Sequence, residues 1–406
     1  MVGLFSPLDL ELNLSPGVLT PPLRCLLVAS CNDAQSFKMG AQQFQRYLGT
    51  RISVSTARRY TECDGALCLA ARERNRHLSP DQPEVEGSAV DPEVGDTLQS
   101  EPAAIPVNNI DVLELLEETG VQKPGPGTAP EADPKENLHL PKSPKMWVSA
   151  DGAMVRLVGG SWREVRILVV GVVQPAPHPK DPERVRTTEQ SYYARLCGSA
   201  KHFIEEVGEE VIRRKVYKSA ITGAGSDGAD WCQALFNRWC PRAERILDIY
   251  HAGCRIAEFL KAHYHGLPDV AERQRKSTME KLKERGPAEL LNTLRTWSTM
   301  EGPGQEAAAK QFAYFESRES LLQYPKMREK GIPFGTGCVE SANQPVLHAR
   351  MKGAGKFWAA ENVNSMLVLR CALCSNRWDE EMAAIPAERE RQRLLRREAR
   401  LAGAKK

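Results

Sequence analysis

The chain has 406 residues, enough for two or three domains of ordinary size, with a formal net charge of +3 and 41% hydrophobic residues. Mean hydropathy is −0.43, and the longest apolar run, Ile167 to Val173, is strand-sized and broken by Gly171, which excludes a membrane-spanning helix on sequence grounds. The N-terminus, MVGLFSPLDLELNLSPG, is acidic and proline-containing where a signal peptide would be basic and then apolar, and eleven scattered cysteines fit reduced thiols in a cytoplasmic protein.

Residues 1–77 read as an N-terminal helical domain. Pro21 and Pro22 open a first helix, and Ser36 caps a second whose Phe37, Ala41, Phe44 and Leu48 fall on one face until Gly49 breaks it. Ser53 caps a third, VSTARRY, which exposes Arg58 and Arg59 beside Ser55 and Thr56, and Gly65 closes the set. That arrangement fits a helix-turn-helix whose last helix enters a DNA major groove; a small helical subdomain with a solvated face is the alternative.

Residues 78–145 form an acidic Pro/Gly-rich linker, with a single helix-sized island, IDVLELLEETG, at 110–120. Fourteen of the chain's acids against four lysines lie between Asp81 and Lys145, leaving 51 basic and 38 acidic residues elsewhere, a balance suited to a polyanionic partner. A linker of this length would let the N-terminal domain move relative to the rest.

Residues 146–251 change character. MWVSADGAMVRLVGG and WREVRILVVGVV predict a hairpin turning at Gly159-Gly160. After a polar connection come a helix, GSAKHFIEEVGEEVIRR, a strand in VYKSAITGAG, a helix around DWCQALFNRW and a strand, ERILDIYHA. The alternation predicts a mixed α/β sheet with helices on its faces. Residues 252–330 are helical and charged, 331–380 hold the loop GIPFGTG and closing helices, and 381–406 form a basic helical tail. The close pair Cys371 and Cys374 has no second pair at zinc spacing and reads as packing.

Three acids stand out. Asp151 lies in a strand that is otherwise apolar or small, where a carboxylate is costly to bury without cations. Asp227 follows a strand end in GAGSDGA, and Glu340 opens a helix after the turn GTGCV. Together they could supply oxygen ligands to Mg²⁺ or Mn²⁺, and a pair of such ions serves phosphoryl transfer; singly, each is an ordinary turn or helix-start residue.

The ordered segments VSADGAMV, GSDGADW, ILDIYHA, FGTGCVESAN, HARMKGAGKFW and LRCALCSNRWD resemble the insertion-sequence DDE transposases of the ISKra type, related to the Mutator-like group, over about Met146 to Trp378. The resemblance implies an RNase H-like fold with an all-helical insertion, two divalent ions held by Asp151, Asp227 and Glu340, and auxiliary roles for Asp248 and His251. It also implies DNA contacts from Arg350 and Lys352, a homo-oligomer acting on paired element ends, and a bacterial, nucleoid-associated location. Trp231 and Trp358 are candidates for stacking on unpaired bases, with core packing as the alternative. Asp230 is the nearest competitor of Asp227 and reads as a helix-start residue. The chain departs from the pattern at Gln344-Pro345, where a lysine is expected and where proline kinks a helix or marks its first turn. An RNase H-like nuclease that cuts without joining, and a decayed or domesticated transposase that only binds DNA, are the alternatives.

Overall fold

A computed structural model describes residues 19–76, 144–179, 181–335, 337, 343–353 and 355–403. Most of the segment read as a linker, with its helical island at 110–120, lies outside the described residues, as does Glu340.

The centre is a five-stranded mixed sheet: β1 (Lys145–Arg156), β2 (Trp162–Pro175), β3 (Val185–Arg195), β4 (Ile221–Ser226) and β5 (Glu244–Leu247), in the order β3-β2-β1-β4-β5. β1 pairs antiparallel with β2, and β2 with β3, whereas β4 runs parallel to both β1 and β5. The hairpin turns where the sequence predicts, with Gly159 and Gly160 at φ 93° and 88°, a region that favours glycine. β3 was not anticipated: its first half, VRTTEQ, is polar and only part-buried, while Ser191 to Arg195 are buried, as suits an edge strand half covered by the fold.

Helices cover both faces of the sheet. On one face, Met146, Val148, Ala150, Leu168, Val170 and Val172 pack against α4 (Ala200–Arg213) and α5 (Asp230–Trp239). On the other, Ala153, Val155, Val165, Ile167 and Val169 meet Val346, Leu347, Met351 and the inner side of a buried closing helix (Ala360–Cys374). The alternation of strand side chains divides the two cores. Between β5 and the closing helices the chain forms a helical block: α6 (Ile249–His263), α7 (Pro268–Arg285), α8 (Ala288–Thr299), α9 (Gln305–Glu316) and α10 (Tyr324–Glu329). Its Phe259, Leu282, Leu294, Phe315 and Tyr324 form a core continuous with Trp147, Ile246 and Leu247 of the sheet.

The N-terminal helices are α1 (Pro21–Asp33), α2 (Phe37–Leu48) and α3 (Val54–Arg76), and the closing helix is followed by Trp378–Ala383 and Ile385–Gly403. Ser36 caps the second N-terminal helix through Met39 N at 3.2 Å, and Gly49 ends it at φ 69°, as the sequence indicates. Two expectations fail here. The third helix continues through Gly65 for 23 residues, and Gly65 instead makes room for Ser365: a Cβ there would sit 2.2 Å from the Ser365 carbonyl oxygen. Nor do these helices stand apart from the remainder, since Leu27, Val28, Phe44 and Cys68 share one core with Val368, Leu369 and Ile385. No helix of the described residues is long and apolar enough to cross a membrane.

Candidate active site

The carboxyl ends of β4 and β5 come level with the middle of β1, which runs on to Arg156, and the ends of parallel strands are where open α/β sheets present side chains to ligands. The register pairs Ser149 with Gly225 and Ser226 with Leu247. Carried onward, it sets Asp151, Asp227 and Asp248 level with one another on neighbouring chains.

Asp151 is half-buried on β1. Its Oδ1 accepts from the Gly152 amide at 2.7 Å and its Oδ2 from Asn343 Nδ2 at 2.7 Å. Burial pushes its carboxyl above the ordinary carboxylate range; Asp227 adds to the push, while the Gly152 amide, His251 and Asn343 pull against it. Asp227 Oδ1 accepts from the Ala229 amide at 2.9 Å in the turn before α5, and Gly228 takes φ 86° in that turn. The insertion reaches back to the same turn: Tyr314 donates its hydroxyl proton to the Asp227 carbonyl at 3.1 Å, and Arg318 Nε donates to the Gly228 carbonyl at 3.3 Å.

The three other acids nearby differ from that pair. Asp248 is buried and caps α6, its Oδ2 accepting from the His251 amide at 3.1 Å, so it anchors the strand-to-helix turn and places His251 near Asp151. Asp230 opens α5 with its side chain 95% exposed, 4.0 Å from Arg318. Glu164 lies across the hairpin beside Gly152 and pairs with Arg166 at 2.9 Å. Cys232 is buried under the group, its thiol pushed up by burial and by Asp227, Asp151 and Glu164. A cleft of about 420 Å³ opens next to the Asp227 turn, lined by Gly228, Gln233, Arg245 and Arg318 among others.

On the far side of Asp151 the chain forms a π-helical turn, Asn343–His348, that runs into a short helical turn, Ala349–Met351. Pro345 lies inside it and lacks an amide proton, which agrees with a locally widened turn. The Pro345 carbonyl accepts from Arg370 Nε at 2.9 Å. Asn343, buried at 7% exposure, was not singled out from the sequence, because its contact with Asp151 is made in space across 192 residues and no local pattern marks it.

Arg350 and Lys352 part company. Arg350 is buried: Nε donates to the Cys31 carbonyl at 3.1 Å, and the guanidinium lies over Phe37 at 4.2 Å and Trp358 at 5.2 Å. As placed, it ties the N-terminal helices to the core and is not free to meet a phosphate. Lys352 stays part-exposed and in electrostatic reach of Asp151; burial lowers its ammonium below the usual range while Asp151 pulls it up. Arg58 is exposed and pairs with Glu62 at 2.8 Å, and exposed Arg59 lies 5.6 Å from the Tyr60 ring.

Among the described residues no group of three or more His, Cys, Asp and Glu side chains is arranged to hold a metal ion. The donors near one another are hard oxygens, the Asp151 and Asp227 carboxylates; Asn343, whose Nδ2 holds Asp151, also keeps an Oδ1 buried without a hydrogen-bond partner among the described residues. That donor chemistry fits Mg²⁺ or Mn²⁺, which would also relieve the strain of two like charges held together in a partly desolvated setting. No protein-family model matches the chain, and no curated protein matches it.

Proposed function

We propose that the chain is a DDE-type DNA transposase of a bacterial insertion sequence, cutting DNA at the element's ends and joining those ends to target DNA. The observation that carries this reading is the pairing of Asp151, on the central strand, with Asp227, at the end of the adjacent parallel strand, inside a sheet ordered β3-β2-β1-β4-β5. That order, with helices on both faces and a helical block before the closing helices, supports an RNase H-like core. Asp151 and Asp227, with Glu340, would hold two Mg²⁺ ions, which when bound supply charge neutralisation at the phosphate and activation of the attacking oxygen.

The chain's own residues divide the remaining work. Asn343 fixes the rotamer of Asp151, and Tyr314 and Arg318 hold the backbone that presents Asp227. Lys352 offers a cation beside Asp151 for the phosphodiester of the bound strand. The first two turns of Val54–Arg76, with Arg58 and Arg59, are the surface offered to the element's terminal sequence, as in a helix-turn-helix. The protein would act in the bacterial cytoplasm as a homo-oligomer that brings two ends together.

The test is an assay of the purified protein with the element's end sequences, a target plasmid and Mg²⁺. Joined products that disappear in Asp151→Asn and Asp227→Asn are expected. Cleavage without joining would move the reading to a nuclease, binding without either reaction to a DNA-binding protein, and full joining by Asp151→Asn would overturn the site.

A further inference from the structure

The two tryptophans that the sequence offers for base stacking, Trp231 and Trp358, are engaged inside the fold. Trp358 is 6% exposed and donates its indole proton to the Met351 carbonyl at 3.0 Å; Trp231 meets Phe203 edge-on at 5.7 Å and has Arg166 over its ring. Two other rings lie open at the far end of β1. Trp162 is 54% exposed and Phe357 is 47% exposed, and the Arg156 guanidinium sits between them, 5.8 Å from one ring centre and 4.6 Å from the other.

The backbone holds this group in place. Arg156 and Trp162 are directly opposed in the hairpin register. Beyond them, the Trp358 amide donates to the Arg156 carbonyl at 3.1 Å and the Val158 amide to the Trp358 carbonyl at 2.9 Å, which extends the sheet and fixes Phe357 beside the hairpin. Large rings left in water lose the burial free energy that would otherwise hold them in a core, so a rigid exposed pair points to a partner. Among the described residues neither Arg156 nor the neighbouring exposed Arg163 has a carboxylate partner. Cations also connect the rings to the acids, since Lys352 is in reach of Asp151 and the same segment carries Lys356 immediately before Phe357. Arg156 follows Asp151 by five residues, about 17 Å along a strand.

We infer that Trp162, Arg156 and Phe357 form a stacking platform for unpaired bases of the DNA strand whose phosphodiester reaches Asp151 and Asp227. The inference rests on the reading of the chain as a DNA-processing enzyme. Rings accept any base by its π-face, the guanidinium stacks on a base or meets a phosphate, and the lysines follow the backbone. The platform, about 17 Å along β1 from Asp151, keeps frayed DNA open a few nucleotides from the acids.

The experiment titrates wild-type protein, a Trp162→Ala/Phe357→Ala double variant and Trp162→Phe with a short single strand carrying a fluorescent adenine analogue, and with the matching duplex. The double variant should lose on the order of 10²-fold in single-strand affinity, and the analogue's quenching with it, while duplex affinity changes by no more than about twofold. Trp162→Phe should keep the quenching. Both rings are solvent-facing, so melting curves should coincide with wild type. A double variant that binds and quenches the single strand as wild type does, in a protein that still cuts element ends, overturns the platform alone. A wild type that binds neither form of DNA overturns the reading beneath it as well.

Discussion

In the seam between the N-terminal and closing helices, buried charges come in complementary sets: Arg24 and Arg389 on Asp64, and Arg72 and Arg377 on Glu381. At the carboxyl edge of the sheet the balance is different: Asp227 works against the ionised form of Asp151, and Lys352 and His251 lie in electrostatic reach of Asp151. The two regions hold similar residue types, but the seam acids Asp64 and Glu381 are buried while Asp151 and Asp227 are part-buried. What separates them is the counter-charge offered to the acids: in the seam Asp64 and Glu381 are matched by arginines and join elements together, whereas Asp151 and Asp227 form the setting that the proposed metal ions would complete.

The largest expected effect lies at the sheet's edge. Asp151→Asn should lower Mg²⁺-dependent strand cleavage by at least about 10³-fold, measured on element-end duplexes, while the metal-free protein melts no lower than wild type. A variant that melts lower would place Asp151 with the seam. In the seam itself, Arg72→Ala leaves Glu381 short of its main partner and should cost about 3 kcal/mol in urea unfolding. A loss below about 0.5 kcal/mol, the usual surface value, would erase the contrast. Gly65→Ala forces the third N-terminal helix off Ser365 and should cost about 2 kcal/mol in the same measurement. Lys352→Ala should be nearly silent in unfolding and reduce DNA affinity about tenfold, with the salt slope of binding smaller by about one charge.

Acid sharpens the same contrast, because the two regions respond with opposite sign. Burial acts to raise the Glu381 carboxyl, but Arg72 and Arg377 outweigh it and hold it below its ordinary range. Its stabilisation is therefore present above the unfolded glutamate value of about 4.3 and lost as pH falls through the lower folded value. Asp151 is held above its ordinary range, so its contribution is full below the unfolded aspartate value of about 3.9 and is lost as pH rises through the folded value. Unfolding midpoints of the metal-free protein across acidic pH should thus show wild type falling relative to Asp151→Asn as pH rises. They should also show wild type losing its advantage over Arg72→Ala as pH falls. Mg²⁺ should narrow the first difference and leave the second unchanged.

Periodicity made much of this fold legible. The hairpin, the alternation that follows it and the helical block before the closing helices each carry a pattern that local sequence reports directly, and Asp151 stood out because a carboxylate interrupts an apolar strand. β3 escaped notice because half of it is polar and its place is earned through pairing with β2. Gly65 was read as a helix stop when its smallness serves a close crossing by Ser365, a partner 300 residues away. The same distance effect misassigned Arg350, whose acceptors are the carbonyls of Cys31 and Gln35. Asn343 was passed over for its neighbour Glu340, although only its contact with Asp151 distinguishes it from any amide on a helix.

The contact of Val54–Arg76 with the closing helices also has a topological meaning. Every described interaction joining residues 19–76 to the sheet side is made through side chains and backbone that meet in space, and none requires residues 77–143 to be continuous. These described contacts should keep residues 19–76 on the sheet side when a peptide bond within 77–143 is cut. Two separately synthesised halves, each carrying one side of the seam, should find one another and assemble as a noncovalent pair.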